Sequence, residues 1–470
     1  MYKKIIYAMT GVLSLVVLAT SIFAQTKTTN NKTTGEKMSG NFKLQPLKLE
    51  QFTLDNGLRV ILNQENTAPV VAVAVYYDVG SRNEREGRTG FAHLFEHMMF
   101  KGSENVGSGE HFTLVFNNGG TMNGTTNEDR TNYFEALPAN QLDLAIFLEA
   151  DRMKSLAITK ENLDNQRNAV QEERRLGVDN VAYGKSGEVQ QGLLYDNFAY
   201  KHTVIGSMDD LNAASVEDVS QFFKTYYAPN NAVLTLVGDF KTEEAIARVR
   251  QNFEGIARQP NPPSVDMNEP EQTAERRATV EDALARLPQV DIAFKTVAGN
   301  TPDFYALQVL SSALQNGQSS RLYQKLVKEK EMATGVGGFA DEKRGTGALY
   351  ISATYKPNVK TEDVEAAIYD EIERIKREGI ADWEVQKAKN ATRRNYIGGL
   401  LSSLSRANSI GQYAVYYNDP NLINTRLDKV NAVTKEDVVR VANKYLKPAN
   451  RTVVVTTLKA KGAANAGGVQ

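Results

Sequence analysis

Six residues in the middle of this chain recur near its end at one constant spacing. Glu217, Asp218, Val219, Tyr226, Pro229 and Asn231 are matched by Glu436, Asp437, Val438, Tyr445, Pro448 and Asn450, each pair 219 positions apart. A fixed offset across a helix-to-strand segment marks a duplicated domain. Strand patterns agree: Val71, Val73, Val75 and Tyr77 alternate in the first copy, and Val290, Ile292 and Phe294 in the second. Long helical patterns separate such strands in both halves. The expected fold is therefore α+β, with two duplicated α/β-sandwich domains of about 220 residues each. A length of 470 residues also exceeds one ordinary core. Pro260, Pro262, Pro263 and Pro270 interrupt regular structure at the join. The division expected is an N-terminal domain over 45–257, a linker over 258–275 and a C-terminal domain over 276–459.

The ends read differently. Lys3 and Lys4 precede an apolar run from Ile5 to Phe23, followed by Ala24 and Gln25. That is the pattern of a secretory signal over 1–24, cleaved after Ala24, which sends the protein to the periplasm or outside the cell and leaves no membrane span. An uncleaved membrane anchor is the alternative, because the two kinds of segment have similar lengths. The chain has no cysteine, so a lipoprotein anchor on it is excluded. Residues 25–44, rich in Thr, Asn and Lys, read as a flexible tether, and 460–470 as a disordered tail. The net charge of −1 gives no basic surplus for nucleic acid.

The chemistry concentrates at His93-Leu94-Phe95-Glu96-His97. Phe91, Leu94, Phe95, Met98 and Met99 form the core stripe of an amphipathic helix, and His93, Glu96 and His97 fall on another face. Histidines at i and i+4 can reach one metal ion, and the order H-x-x-E-H is the inverted zincin motif. Two of the chain's four histidines stand in this one turn. The bland alternative is a helix with two surface histidines in an ion-pair network. A catalytic zinc needs a third protein ligand and leaves a position for water. The segment Leu163–Leu176 reads as a helix with Thr159 as N-cap and an inner stripe of Leu163, Gln166, Ala169, Val170, Glu173 and Leu176. Glu173 then points inward and Glu172 away, so Glu173 is the expected ligand, with an ion pair to an arginine as its alternative. His111 and His202 read as ordinary polar residues.

His93-x-x-Glu96-His97 followed by Glu173 within Val170-Gln171-Glu172-Glu173-Arg174-Arg175 resembles the pitrilysin family of zinc metallopeptidases, with its processing-peptidase-type, half-length bacterial members. So do Gly119 to Thr131, similar to the family's substrate-binding edge strand, and Tyr226 to Ala232 leading to Val237-Gly238-Asp239. The similarity runs from about Phe52 to Leu458. It implies a zinc endopeptidase that cuts extended or unfolded peptides inside a clamshell chamber. One Zn²⁺ per chain would be held by His93, His97 and Glu173, with Glu96 as general base. Substrate would add as a strand along Gly120, Thr121, Asn123 and Thr125. Gln166 stands where the family often has a second glutamate, and it would orient Glu173 by a hydrogen bond. The second copy carries approximately Gln308, Ser311 and Ser312 opposite the zinc helix, not a ligand set. Family members typically place an arginine and a tyrosine, seven residues apart, near the substrate carbonyl; here those positions are Val327 and Thr334. Arg321 and Tyr323, two apart, are out of register. The resemblance therefore implies a heterodimer with a metal-free homologous chain that supplies the Arg/Tyr pair. The competing readings are a non-catalytic peptide-binding or assembly subunit of the same fold, and a zinc enzyme acting on something other than peptides.

Overall fold

A computed structural model describes residues 44–459. The expected signal segment, nearly all of the tether and the tail lie outside the described residues. Two sheets organise the rest. The first has the order β1-β2-β6-β3-β5-β4, built from Glu50–Thr53, Arg59–Gln64, Ala232–Gly238, Val70–Tyr77, Thr131–Pro138 and Thr121–Thr126 respectively. The second has the order β7-β11-β8-β10-β9, from Arg276–Asp282, Arg451–Leu458, Gln289–Lys295, Ala348–Tyr355 and Ala333–Ala340. Each sheet is antiparallel except for one parallel pair at the equivalent place, β2 with β6 and β7 with β11. The fold is α+β and duplicated.

The repeated residues do the same work twice. Ser215 and Thr434 each close a capping box with the aspartate three residues on, Asp218 and Asp437, a device worth about 1 kcal/mol per helix. Asn231 donates to the carbonyls of Tyr226 at 2.8 Å and Asp78 at 3.3 Å; Asn450 donates to those of Tyr445 at 2.7 Å and Lys295 at 2.8 Å. Each asparagine thus fastens a helix-to-strand connection onto the neighbouring strand.

Five helices of the first half matter below: α1 (Phe91–Met98), α2 (Glu110–Asn117), α3 (Leu142–Ser155), α4 (Lys160–Arg174) and α5 (Gly184–Leu194). The apolar faces of α1, α3 and α4 pack with Val71, Val73, Val75 and Tyr77 into one core. Strand β3 has no polar face. Ala72, Ala74 and Tyr76 are buried against Ile410 and Ala414 of the helix Ser403–Tyr417, which comes from the second half of the sequence. In return α5, from the first half, lies on β7, β8 and β11 of the second sheet, where Ser186 Oγ meets Thr456 Oγ at 2.6 Å. Gly184 and Ser403, where these helices begin, are themselves 219 positions apart. The duplicated units therefore exchange equivalent helices. Breaking the halves apart would strip the outer face of both sheets.

Candidate metal centre

Helix α1 is aimed by its N-terminus. Gly90, in the left-handed region at φ 84°, begins it, and a Cβ there would lie 2.7 Å from the Ile205 carbonyl oxygen. The free amides of Gly90 and Ala92 donate to the Glu84 carboxylate at 2.9 and 2.7 Å. A buried carboxylate satisfies those groups and favours the positive end of the helix. His202 Nε2 stands 2.9 Å from Glu84 on the other side. His202 is thus no ordinary polar residue: it supports the group that caps the metal-site helix. Burial pushes the Glu84 carboxyl up, against the bonds from His202 and the two amides.

Phe91, Leu94, Phe95 and Met98 enter the core, as their spacing requires, and the polar face turns toward α4 and β4. The His93 and His97 rings lie 4.8 Å apart between centroids. Glu173 Oε2 is 3.6 Å from His93 Nε2 and 3.3 Å from His97 Nε2. In a tetrahedron with bonds of 2.0–2.1 Å, neighbouring donor atoms are separated by about 3.3 Å. This triangle of two imidazole nitrogens and a carboxylate oxygen therefore suits zinc in both chemistry and size. Burial, and then the neighbouring His97, push His93 down to about 4, so it offers a neutral ring nitrogen at physiological pH. The hydrogen bond to His97 holds Glu173 below the usual carboxylate range. Glu172 turns to Arg175 at 3.1 Å.

The α4 helix keeps only part of the expected stripe. Leu163, Gln166 and Val170 are buried, but Ala169 is exposed and Leu176 is 66% exposed. The α-helix gives way at Arg175 to a wider π-helical turn over Arg175–Asp179, which carries Leu176 out of phase. Glu173, at the last full turn, is half-exposed rather than part of a buried face. Gln166 is buried, yet its amide donates to Asn165 Oδ1 at 2.5 Å, and no bond to Glu173 is formed among the described residues. It supports α4 by packing, not by orienting the carboxylate.

Glu96 packs against β4. Its Oε2 accepts from Thr126 Oγ at 2.6 Å, and it lies over Gly124, where a Cβ would stand 3.0 Å from Glu96 Cγ. Burial pushes its carboxyl up, while Thr126 and His97 pull the other way. Neither Gly124 nor Thr126 was singled out in the sequence; only the strand period, which puts both on the α1 side of an edge next to the motif, could have indicated them. β4 is the last strand of its sheet, paired to β5 alone, so its outer backbone groups are free for another strand. Thr121, Asn123 and Thr125 stand opposite Ala136, Phe134 and Asn132 and share their face, the one away from α1. Thr125 Oγ bonds Asn132 at 2.6 Å. These residues, with Gly120 just before them, lie along the unpaired edge, and the side chains of Thr121, Asn123 and Thr125 are turned from the His93, His97 and Glu173 triangle.

A second acid and histidine cluster lies beneath α2. His111, Glu135 and Glu149 place ligand-type atoms within 4.8 Å of one another. The positive charge among them belongs to Arg152, which grips Glu149 and stacks on Tyr133 at 4.3 Å. Burial pushes Glu135 up to about 7 and Glu149 up to about 8, with Arg152 opposing, and pushes His111 down to about 3. Around the single guanidinium, burial favours the protonated carboxyls and the neutral imidazole.

In the second half, Gln308, Ser311 and Ser312 line a cleft of about 890 Å³ with Asn316, Lys387 and Asn395. No imidazole or carboxylate lines it. Val327 lies in a π-helical turn and Thr334 bonds the Thr354 carbonyl. Arg321 is held by Glu384 at 2.7 Å and Glu371 at 3.3 Å.

Known proteins are similar to this chain in sequence and fold. The family described as Insulinase (Peptidase family M16) matches residues 59–182, and the domain described as Peptidase M16 inactive domain matches residues 213–392. The zinc protease PqqE of Helicobacter pylori is 32% identical over 410 residues, spanning 87% of this chain and 92% of that protein. The probable mitochondrial-processing peptidase subunit beta of Arabidopsis thaliana is 25% identical over 408 residues, spanning 84% of this chain and 75% of that protein. Among solved structures, a protease from Helicobacter pylori superposes with a TM-score of 0.84 at 32% identity, over 88% of this chain and 100% of that one. The periplasmic protease PqqL from Escherichia coli superposes with a TM-score of 0.70 at 17% identity, over 88% of this chain but 48% of that one.

Proposed function

The chain belongs to the insulinase peptidase family M16, and from that premise we propose that it is a zinc endopeptidase acting on extended or unfolded peptides. One observation carries the reading: the His93, His97 and Glu173 triangle lies next to a half-buried Glu96, at the free edge of a sheet. The match to an inactive domain falls on residues 213–392 and leaves every member of that set outside it.

His93, His97 and Glu173 would hold one Zn²⁺, which when bound polarises the scissile carbonyl and acidifies water. Glu96 takes the proton of the attacking water and returns it to the leaving amine. Its carboxyl is suited to both steps because burial raises its proton affinity. Thr126 and Gly124 fix its rotamer. The main chain of Gly120–Thr126 aligns the peptide by strand addition, which selects for unfolded segments. Relatives named as zinc proteases support the metal.

The active species we propose is a heterodimer with a metal-free homologous chain. Val327 has no side-chain donor, Thr334 gives its hydroxyl to the Thr354 carbonyl, and Arg321 is committed to two glutamates. The length of PqqL, of which this chain matches 48%, is consistent with two such units making one complete enzyme. Losing carbonyl-polarising donors costs about 3 kcal/mol, or roughly a hundredfold in rate. Export follows from the segment before residue 45; no helix among the described residues is long and apolar enough to cross a membrane.

Metal analysis, light scattering and hydrolysis of a mixed peptide library test these statements together. One zinc per chain, chelator-sensitive weak hydrolysis and strong activation by a co-purifying homologue are expected. A stable homodimer with full activity would overturn the heterodimer. Metal-loaded protein with no hydrolysis in any assembly would overturn the peptidase.

A further inference from the structure

Helix α2 holds two phenylalanines toward solvent. Phe112 and Phe116, one turn apart, are 36% and 53% exposed, while His111 and Val115 on the other face are buried. A single exposed apolar residue needs no explanation, but these are linked in series. Ring centroids step 4.9 Å from Phe100 to Phe112 and 6.1 Å from Phe112 to Phe116. Phe100, the inner member, is buried and follows His97 by three residues. The series begins at the metal-site helix and ends on the surface.

Two contacts fix α2 against one end of the free edge. His111 Nε2 is 3.7 Å from Glu135, the β5 partner of Met122, and the Val115 carbonyl accepts from Gly120 at 3.0 Å. α2 therefore flanks the Gly120–Met122 end of β4, whereas Glu96 touches Gly124 and Thr126. At about 3.4 Å per residue, Met122 lies roughly 7 Å and Gly120 roughly 14 Å along the strand from Gly124. A peptide paired antiparallel to β4 runs from the Thr126 end toward Gly120. Its residues on the C-terminal side of the bond beside Glu96 come alongside α2.

We propose that Phe112 and Phe116 form a specificity site for large apolar side chains two to four residues C-terminal to the cleaved bond, an inference that rests on the peptidase reading above. Stiff rings present apolar area at little cost in side-chain entropy, so aromatic and long aliphatic residues gain most. Charged or glycine residues at those positions gain nothing.

Cleavage-site profiling of a peptide library with wild-type protein and with Phe112→Ser/Phe116→Ser tests this, zinc content being measured in both. Wild type should enrich Phe, Tyr, Leu and Met at the second to fourth positions after the cut. The double variant should lose roughly tenfold in kcat/KM for such peptides relative to peptides with glycine there. An equal loss for both peptide sets, or enrichment only before the cut, overturns the proposal. Absence of hydrolysis by wild type, both alone and with the co-purifying homologue, overturns the peptidase reading instead. In that event, fluorescence anisotropy of a labelled unstructured peptide with or without phenylalanines decides. Selective weakening of the phenylalanine peptide in the double variant supports the site, and equal binding sinks it.

Discussion

Gly124→Ala isolates the proposed base from the metal. The new methyl would stand 3.0 Å from Glu96 Cγ, 3.2 Å from Tyr133 Cδ1 and 3.3 Å from Glu96 Oε1. Ordinary carbon contacts are about 3.5–4.0 Å, so some 0.5 Å must be found. Tyr133 cannot give way: it is fully buried, edge-on to Tyr77 at 6.0 Å and Phe100 at 5.7 Å, under the Arg152 guanidinium. Glu96, partly open to the cleft, moves instead and stretches its 2.6 Å bond to Thr126. Gly124 is not at positive φ, so alanine adopts its backbone without strain. A 1 Å misplacement costs about a hundredfold, so a shift of half that predicts a fall in kcat of about tenfold. The global cost should be about 1 kcal/mol, from overpacking. Steady-state hydrolysis of a peptide chosen from the library, zinc content and a thermal melt measure the three quantities. A folded, zinc-loaded variant with wild-type kcat would refute the placement of Glu96 against Gly124. Loss of zinc as the main effect would refute the separation of base from ligands.

Other expectations follow from the same geometry. Glu173→Gln should weaken zinc binding at least tenfold, measured by chelator competition, and Glu172→Gln should change it little; the reverse ranking would contradict the observed phase of α4. Glu135 concerns stability. Its folded carboxyl lies at about 7 against 4.5 ordinarily, because it is buried. The folded state therefore binds this proton more tightly, and stability is fully present below about pH 4.5 and falls as pH rises through 7. Glu135→Gln should remove that decline and stabilise the protein at pH 8 by on the order of 2 kcal/mol, read by denaturant melts at pH 5 and pH 8. A variant equally destabilised at both pH values would show that the carboxylate is needed charged.

The duplication and the metal helix were legible because each writes a local pattern. The 219-residue offset survives where a capping box and an asparagine clamp must be built twice, and α1 carries its core stripe beside its ligands. What escaped reading depends on distant partners. The helix exchange shows only as small residues, Ala72 and Ala74, between larger ones on β3, which looks like the solvent side of a strand until Ser403–Tyr417 covers it. Glu84 and His202, 118 positions apart, form the support of α1 through tertiary contact alone. Helical phase marks Glu173 as a buried carboxylate. The structure sets it at the metal triangle half-exposed, because the π-helical turn begins two residues later. Counting 3.6 residues per turn cannot foresee that widening.

The most direct test is Glu96→Gln in the purified protein, assayed for bound zinc and for hydrolysis of the peptides that wild type cuts. Gln keeps the shape and can still meet Thr126 Oγ, but it cannot accept the water's proton. One zinc per chain should remain, and kcat should fall by about a hundredfold or more. Retained zinc with undiminished hydrolysis would contradict Glu96 as the base, and with it the account of how this site works.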